Sequence, residues 1–281
     1  MSNLPSAPEA ATTAVTWAEL QRWTPARIGL PRTGSSLTTR DVLAFAAAHA
    51  QARDAVHTPL DVSALCAEIE RDGWPAPLVV RSRARHRSEY LLRPDLGRRL
   101  DEDSGAELQR WRQQHAPADL ALVVGDGLSA LGVQRHAAGL LRAIRAALGS
   151  AWSLMPPVIA VQARVALGDE IGERLGARMV VVLIGERPGL SSPDSIGVYL
   201  TMSPRVGCTD AQRNCISNVR PGGQDLHTAA QRLAWLVAAA WRLGRTGVDL
   251  KDHSGLPMVG SATGVAAADP LIPAPPHQEV R

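Results

Sequence analysis

From Asp119 onward the chain repeats one rhythm: a short unbroken apolar run, a glycine-bearing turn, then apolar positions at helical spacing. Leu120–Val124 is a continuous apolar run, the pattern of a strand buried on both faces. Gly125-Asp126-Gly127 turns the chain, and Ser129 stands where an N-cap belongs. Leu131, Leu140, Leu141, Ile144 and Leu148 then form the stripe of a helix that Gly149 stops. Val158–Val161 predicts a second strand, Val180–Ile184 a third and Ile196–Met202 a fourth. Between and after them lie a short helix over Asp169–Leu175, closed by Gly176, and a long one over Thr228–Leu243, closed by Gly244. Strands alternating with helices predict an α/β fold, a mostly parallel sheet with helices on both faces.

The earlier half has a different texture. From Trp17 to about Gln114 the pattern is mainly helical. Thr39–Ala55 has apolar residues at helical spacing with Thr38 or Thr39 as N-cap. Ser63–Arg71 is a second helix, ended by Asp72-Gly73, and Ser104–His115 a third. Leu78–Val80 and Glu89–Leu92 are expected as short strands. The predicted organisation is a disordered tail over 1–15, a mainly helical region over 16–115, an α/β domain over 116–254 and a disordered tail over 255–281. The internal boundary is placed near Pro117.

Composition narrows the function classes. The chain has 281 residues and a formal net charge of +3. Its cations are arginine apart from Lys251. The local run Arg81, Arg83, Arg85, His86, Arg87 has only Tyr90 as an aromatic neighbour and no nucleic-acid motif, so it is read as a solvated face. No apolar run approaches the roughly 18–20 residues a spanning helix needs. The first residues lack the basic start and apolar core of a secretory signal. Cytoplasmic residence without nucleic-acid or membrane partners is expected. Cys66, Cys208 and Cys215 are too few and too irregular for a disulfide framework or a zinc site, and the eight histidines are scattered. No metal site is expected.

Three places carry chemistry. Gly185-Glu186-Arg187-Pro188-Gly189 puts a carboxylate and a guanidinium at a strand's carboxyl end, where open α/β sheets bind ligands. The plainer alternative is a surface charge pair. Asp126–Ser129 opens a helix whose first N–H groups suit an anion, yet it is neither GxGxxG nor a P-loop. A purely structural turn with an Asp cap remains open there, and Ser129 lacks the final glycine of a nucleophile elbow. Cys215 stands in the polar segment Arg213–Asn218, an odd setting for a buried thiol and a fitting one for a ligand rim.

Five motifs occur in order: Tyr90-Leu91-Leu92-Arg93-Pro94-Asp95-Leu96-Gly97-Arg98-Arg99-Leu100, Gly125-Asp126-Gly127-Leu128-Ser129, Arg164-Val165, Gly185-Glu186-Arg187-Pro188-Gly189-Leu190 and Cys215-Ile216-Ser217-Asn218. Together they resemble the ethanolamine ammonia-lyase small-subunit (light-chain) family, from about Ala26 to about Gly247.

The resemblance implies a Rossmann-like α/β domain preceded by a mainly helical N-terminal region. It implies a subunit of an adenosylcobalamin-dependent lyase that converts ethanolamine to acetaldehyde and ammonia by radical chemistry. The partner would be a large TIM-barrel subunit holding the substrate, in a hetero-oligomer of paired large and small subunits with cobalamin between them. The cofactor contacts it implies fall on Val165, Glu186 and Cys215, with no catalytic residue on this chain. Glu186 is expected to accept hydrogen bonds from corrin amides, Val165 to touch the macrocycle and Cys215 to line its edge. Val165 and Glu186 are expected at the carboxyl ends of adjacent parallel strands. Some members of the family enter a bacterial microcompartment through an N-terminal amphipathic segment; residues 1–15 show no such stripe, so plain cytoplasm is the primary expectation. A stand-alone nucleotide- or anion-binding protein using Asp126–Ser129, and a hydrolase using Ser129, are the alternatives.

Overall fold

The computed structural model describes residues 16–255 of the chain. The tails expected at 1–15 and beyond Gly255 lie outside the described residues. The chain divides into two compact units, at Ala50 and Gln51. The first contains α1 (Trp17–Leu20), an antiparallel pair of two-residue strands, β1 (Arg32–Thr33) and β2 (Ser36–Leu37), and most of α2 (Thr39–His57). Thr38, one of the two residues expected to cap α2, takes the N–H of Asp41 on its hydroxyl.

The second unit runs through α3 (Val62–Arg71), β3 (Leu78–Arg81), α4 (Arg87–Leu92), α5 (Glu102–Gln114), β4 (Leu120–Gly125), α6 (Ala130–Leu148), β5 (Val158–Val161), α7 (Leu167–Leu175), β6 (Met179–Gly185), β7 (Ile196–Met202), β8 (Arg213–Val219) and α8 (Leu226–Leu243). Its sheet has the order β3-β5-β4-β6-β7-β8. The first four strands are parallel; β7 and β8 are antiparallel additions at one edge. Every residue of β4 and β6 is buried, as their unbroken apolar runs require.

Two apolar layers sandwich the sheet. One joins α3, α6 and α8 to residues such as Leu122, Leu183, Val198 and Ile216. The other joins α5 and α7, through Leu108, Leu167 and Ile171, to Val123, Val180 and Val182. The chain leaves β4 for β5 on one side and returns to β6 on the other, so the strand order reverses at β4. In open α/β sheets the crevice at such a reversal, beyond the carboxyl ends, is where ligands bind.

Several expectations need correction. Glu89–Leu92 is helical: the ring of His86 accepts the Glu89 N–H at 3.3 Å and winds the segment into α4, with Tyr90 buried. The polar segment around Cys215 is a strand, β8. The predicted strand at Leu78 does form, but as β3 it pairs with β5, so the sheet draws on chain from both sides of Pro117. Finally, β5 and β6 are not neighbours, because β4 lies between them.

Candidate functional site

The five motifs interlock around the carboxyl ends of β4, β5 and β6. Asp126, the first residue after β4, is 3% exposed and accepts the N–H groups of Gln162 and Ala163, both at 2.9 Å. Burial pushes its carboxyl up, while those N–H groups and Arg87 pull against that. Its role is to brace the loop after β5; the cap of α6 is Ser129. Gln162 is held at a φ of 56° there, a left-handed conformation that only a fixed loop sustains.

That loop carries Arg164-Val165, and the first motif holds its other side. The Tyr90 hydroxyl donates to the Ala163 carbonyl at 2.9 Å, and the Arg164 N–H to the Gly97 carbonyl at 2.8 Å. The guanidinium groups of Arg164 and Arg87 lie 4.2 and 4.7 Å from the Tyr90 ring centre. Burial raises the Tyr90 phenol to about 12. A Cβ on Gly97 would stand 2.9 Å from the Arg164 side chain, so glycine is what allows this approach.

The second and fourth motifs meet as closely. Gly127, at a φ of 58°, lies against Gly185, and a Cβ on it would collide with the Gly185 carbonyl oxygen. The Leu128 N–H donates to that same oxygen at 2.9 Å. Ser129 is fully buried; its hydroxyl donates to the Pro193 carbonyl at 2.7 Å and accepts the Gly132 N–H. His136 approaches Asp194 rather than Ser129, so the serine is a cap and a loop anchor with no base beside it.

Glu186 follows directly after β6. Its N–H donates to Ser195, and both of its carboxylate oxygens accept the Asn218 N–H at 3.1 Å, which joins the fourth motif to the fifth. Val182, Tyr199 and Cys215 stand opposite one another across β6, β7 and β8 and therefore share a face. Tyr199 and Cys215 are cross-strand partners on β7 and β8, and desolvation pushes the pKa of both groups up. Gly197 fills the space between: a Cβ there would sit 2.8 Å from the Tyr199 ring and 3.2 Å from Glu186 Oε1.

Val165 lies four residues past β5 and two before the start of α7, half-buried against the same apolar layer as Tyr199. It lines a cavity of about 550 Å³ with Arg98, Arg164, Thr209 and Arg213. Glu186 and Cys215 are thus brought together around Tyr199. Val165 forms a separate wall on the same side of the sheet and makes no hydrogen bond to either. Helix α7 covers this side over β6, but Cys215 and Ser217 of β8 are exposed, leaving an open shelf.

A buried ion pair sets the shelf's far edge. Arg213 Nη1 donates to both oxygens of Asp169, in the first turn of α7, at 2.6 Å. Burial pushes the Asp169 carboxyl up and the Arg213 guanidinium pulls against it. The pair ties the helix after Val165 to β8, two residues before Cys215. Sequence reasoning missed it, because its partners lie far apart in the chain. It also missed Tyr199. The brace at Asp126 carried a usable signal, an acid at the very end of a buried strand. No group of three or more potential metal ligands occurs among the described residues.

Comparison with known proteins agrees with the motifs. The family model described as Ethanolamine ammonia-lyase light chain matches residues 14–251. A protein of Ralstonia nicotianae named ethanolamine ammonia-lyase small subunit is 55% identical over 245 residues, 86% of this chain and 90% of the relative. One of the same name from Azotobacter vinelandii is 55% identical over 240 residues, 85% and 88% of the two chains. Another, from Pseudomonas fluorescens, is 50% identical over 262 residues, 92% and 95%. With the match spanning most of its length, the chain belongs to the ethanolamine ammonia-lyase light-chain family.

Proposed function

We propose that this chain is the small subunit of an adenosylcobalamin-dependent ethanolamine ammonia-lyase, and that its open shelf is one side of the corrin site. The lyase converts ethanolamine to acetaldehyde and ammonia. A large TIM-barrel subunit closes the shelf and holds the substrate, in a hetero-oligomer of paired large and small subunits. No helix among the described residues is long and apolar enough to cross a membrane. The assembly works in the cytoplasm, free or inside a bacterial microcompartment.

The observation that carries the reading is the placement of Val165, Glu186 and Cys215. These residues, singled out by resemblance, all fall on the same side of the sheet, which the helices leave open over β8. The residues fit the group. A corrin is broad, flat and edged with amide arms. The shelf is a pleated surface with small or short residues at Gly197, Cys215 and Ser217. A carboxylate has about four acceptor positions, so Glu186 keeps capacity for amide N–H donors after binding Asn218.

When bound, adenosylcobalamin supplies the radical chemistry. The chain's own part is to bind and orient. Glu186 accepts hydrogen bonds at the rim, Val165 offers an apolar contact, and the Tyr199–Cys215 pair forms the floor. Asp126 and the Asp169–Arg213 pair fix the walls.

Mixing the chain with the large subunit and adenosylcobalamin should give lyase activity that neither protein has alone. Turnover by this chain alone would end the subunit reading. Glu186→Ala should weaken cofactor binding by about 10- to 100-fold in an absorption titration, the loss of a hydrogen bond to a charged acceptor. Unchanged affinity would remove the role given to Glu186.

A further inference from the structure

No residue between Thr16 and Ala50 is buried. Yet this segment carries Trp17, Trp23, Val42, Leu43 and Phe45, which are 60, 88, 50, 64 and 47% exposed. Seven of the twelve exposed large apolar side chains among the described residues belong to it. Single exposed apolar residues are ordinary, but a concentration of them marks an interaction surface.

The segment has its own local order. Thr16 and Glu19 form a capping box at the start of α1. Gln21 Nε2 donates to the Ile28 carbonyl at 2.8 Å. The Trp17 ring lies on Gly29 so closely that a Cβ there would collide with it. The β1–β2 pair turns through Gly34 at a φ of 63°. Local order of this kind reduces the entropy lost on docking.

We propose that residues 16–50 form an arm that grips the large subunit, seating its aromatic residues in an apolar groove with an acidic rim on that partner. The proposal rests on the small-subunit reading above. Composition supports it: four arginines, Arg22, Arg27, Arg32 and Arg40, stand against two acids, Glu19 and Asp41. Aromatic residues and arginine are the types enriched at interface centres. Area supports it too. Three aromatic side chains bury roughly 150–250 Å² each. With the aliphatic residues beside them, they approach the roughly 800 Å² per partner of a standard interface. A second copy of this chain is the poorer occupant, because its own excess is cationic, with a net charge of +3 and a pI of about 9.1.

The test uses the full chain and the purified large subunit. Trp23→Ser and Phe45→Ser should each weaken association by about tenfold or more, with the isolated chain's melting temperature unchanged. Tryptic cleavage after Arg22 and Arg27 should slow when the large subunit is added to the unaltered chain, a measurement that needs no variant. If the unaltered chain does not bind the large subunit, the small-subunit reading fails first. If it binds, yet both variants bind equally well and cleavage is unprotected, the arm proposal is overturned and that reading stands. Variants that abolish only self-association would assign the arm to a second copy and likewise overturn the proposal.

Discussion

Two main-chain N–H groups, those of Gln162 and Ala163, end on the carboxylate of Asp126, with Arg87 at 3.7 Å behind it. Removing that carboxylate strands two buried donors and takes the counter-charge from Arg87, which keeps its hydrogen bonds to the Val56 and Gly127 carbonyls. Asp126→Ala should cost about 3–5 kcal/mol, the usual penalty for breaking one side of a buried charged network. Asp126→Asn keeps one acceptor oxygen and should cost less, about 1–3 kcal/mol. Urea unfolding of the isolated chain measures both. A loss below about 0.5 kcal/mol in the alanine variant, the range of ordinary surface changes, would show that the brace does not matter. In the alanine variant the loop bearing Arg164 and Val165 loses its anchor, so on the proposed small-subunit reading cobalamin binding by the reconstituted complex should weaken even at temperatures where the chain stays folded.

The seating of α7 on β6 depends on two glycines one helical turn apart. A Cβ at Gly168 would collide with the Val182 side chain, and one at Gly172 would stand 2.6 Å from Pro204. Gly168→Ala should therefore lift the start of α7 and cost about 1–3 kcal/mol, the range for overpacking a filled core. The same lift moves Asp169 against Arg213 and widens the shelf beside Val165, so on the proposed small-subunit reading cobalamin affinity should fall with stability. Denaturant midpoints and an absorption titration of the reconstituted complex check the two effects. Unchanged values for both would contradict the close contact. These elements also mark where the sequence could be read. Strands β4, β5 and β6 were legible because burial on both faces leaves unbroken apolar runs, and β7 because apolar residues dominate Ile196–Met202. β8 was not, because only Arg213, Ile216 and Val219 are buried and its exposed Cys215 and Ser217 look like a loop. The Tyr90-Leu91-Leu92 run was misread as a strand, since a histidine cap gives a weak start signal. The turn at Gly185-Glu186 was legible as the end of a buried strand; the buried Asp169–Arg213 pair was not, since pairing across the fold leaves no local pattern.

Across the whole molecule, Glu170 joins chain from before Pro117 to the α/β core. Its carboxylate accepts Arg99 Nε at 2.8 Å, the Leu100 N–H at 3.1 Å and the Arg174 guanidinium at 3.2 Å. Burial pushes its pKa up, but those hydrogen bonds outweigh burial and hold it below its ordinary value. A carboxyl depressed by folding adds stability above its unfolded pKa, about 4.3 for Glu, and that stability is lost as pH falls through the folded value. Asp194, also buried in part but held low by Arg135 and His136, acts in the same direction. Asp126 and Asp169 are raised, so their contribution has the opposite sign: present in acid and lost as pH rises through their folded values. The total profile mixes both signs, and only a difference measurement isolates Glu170. Glu170→Gln should be less stable than the unaltered chain by about 1–3 kcal/mol at pH ~7, from weakened charge-assisted hydrogen bonds. The gap should close as pH falls below ~4, because the unaltered carboxyl then takes up its proton and loses the same advantage. Melting temperatures of the two proteins from pH ~7 down to ~3 follow it directly. A gap that stays constant over that range would mean that shape, and not the ionised carboxylate, joins the two parts of the chain at this point.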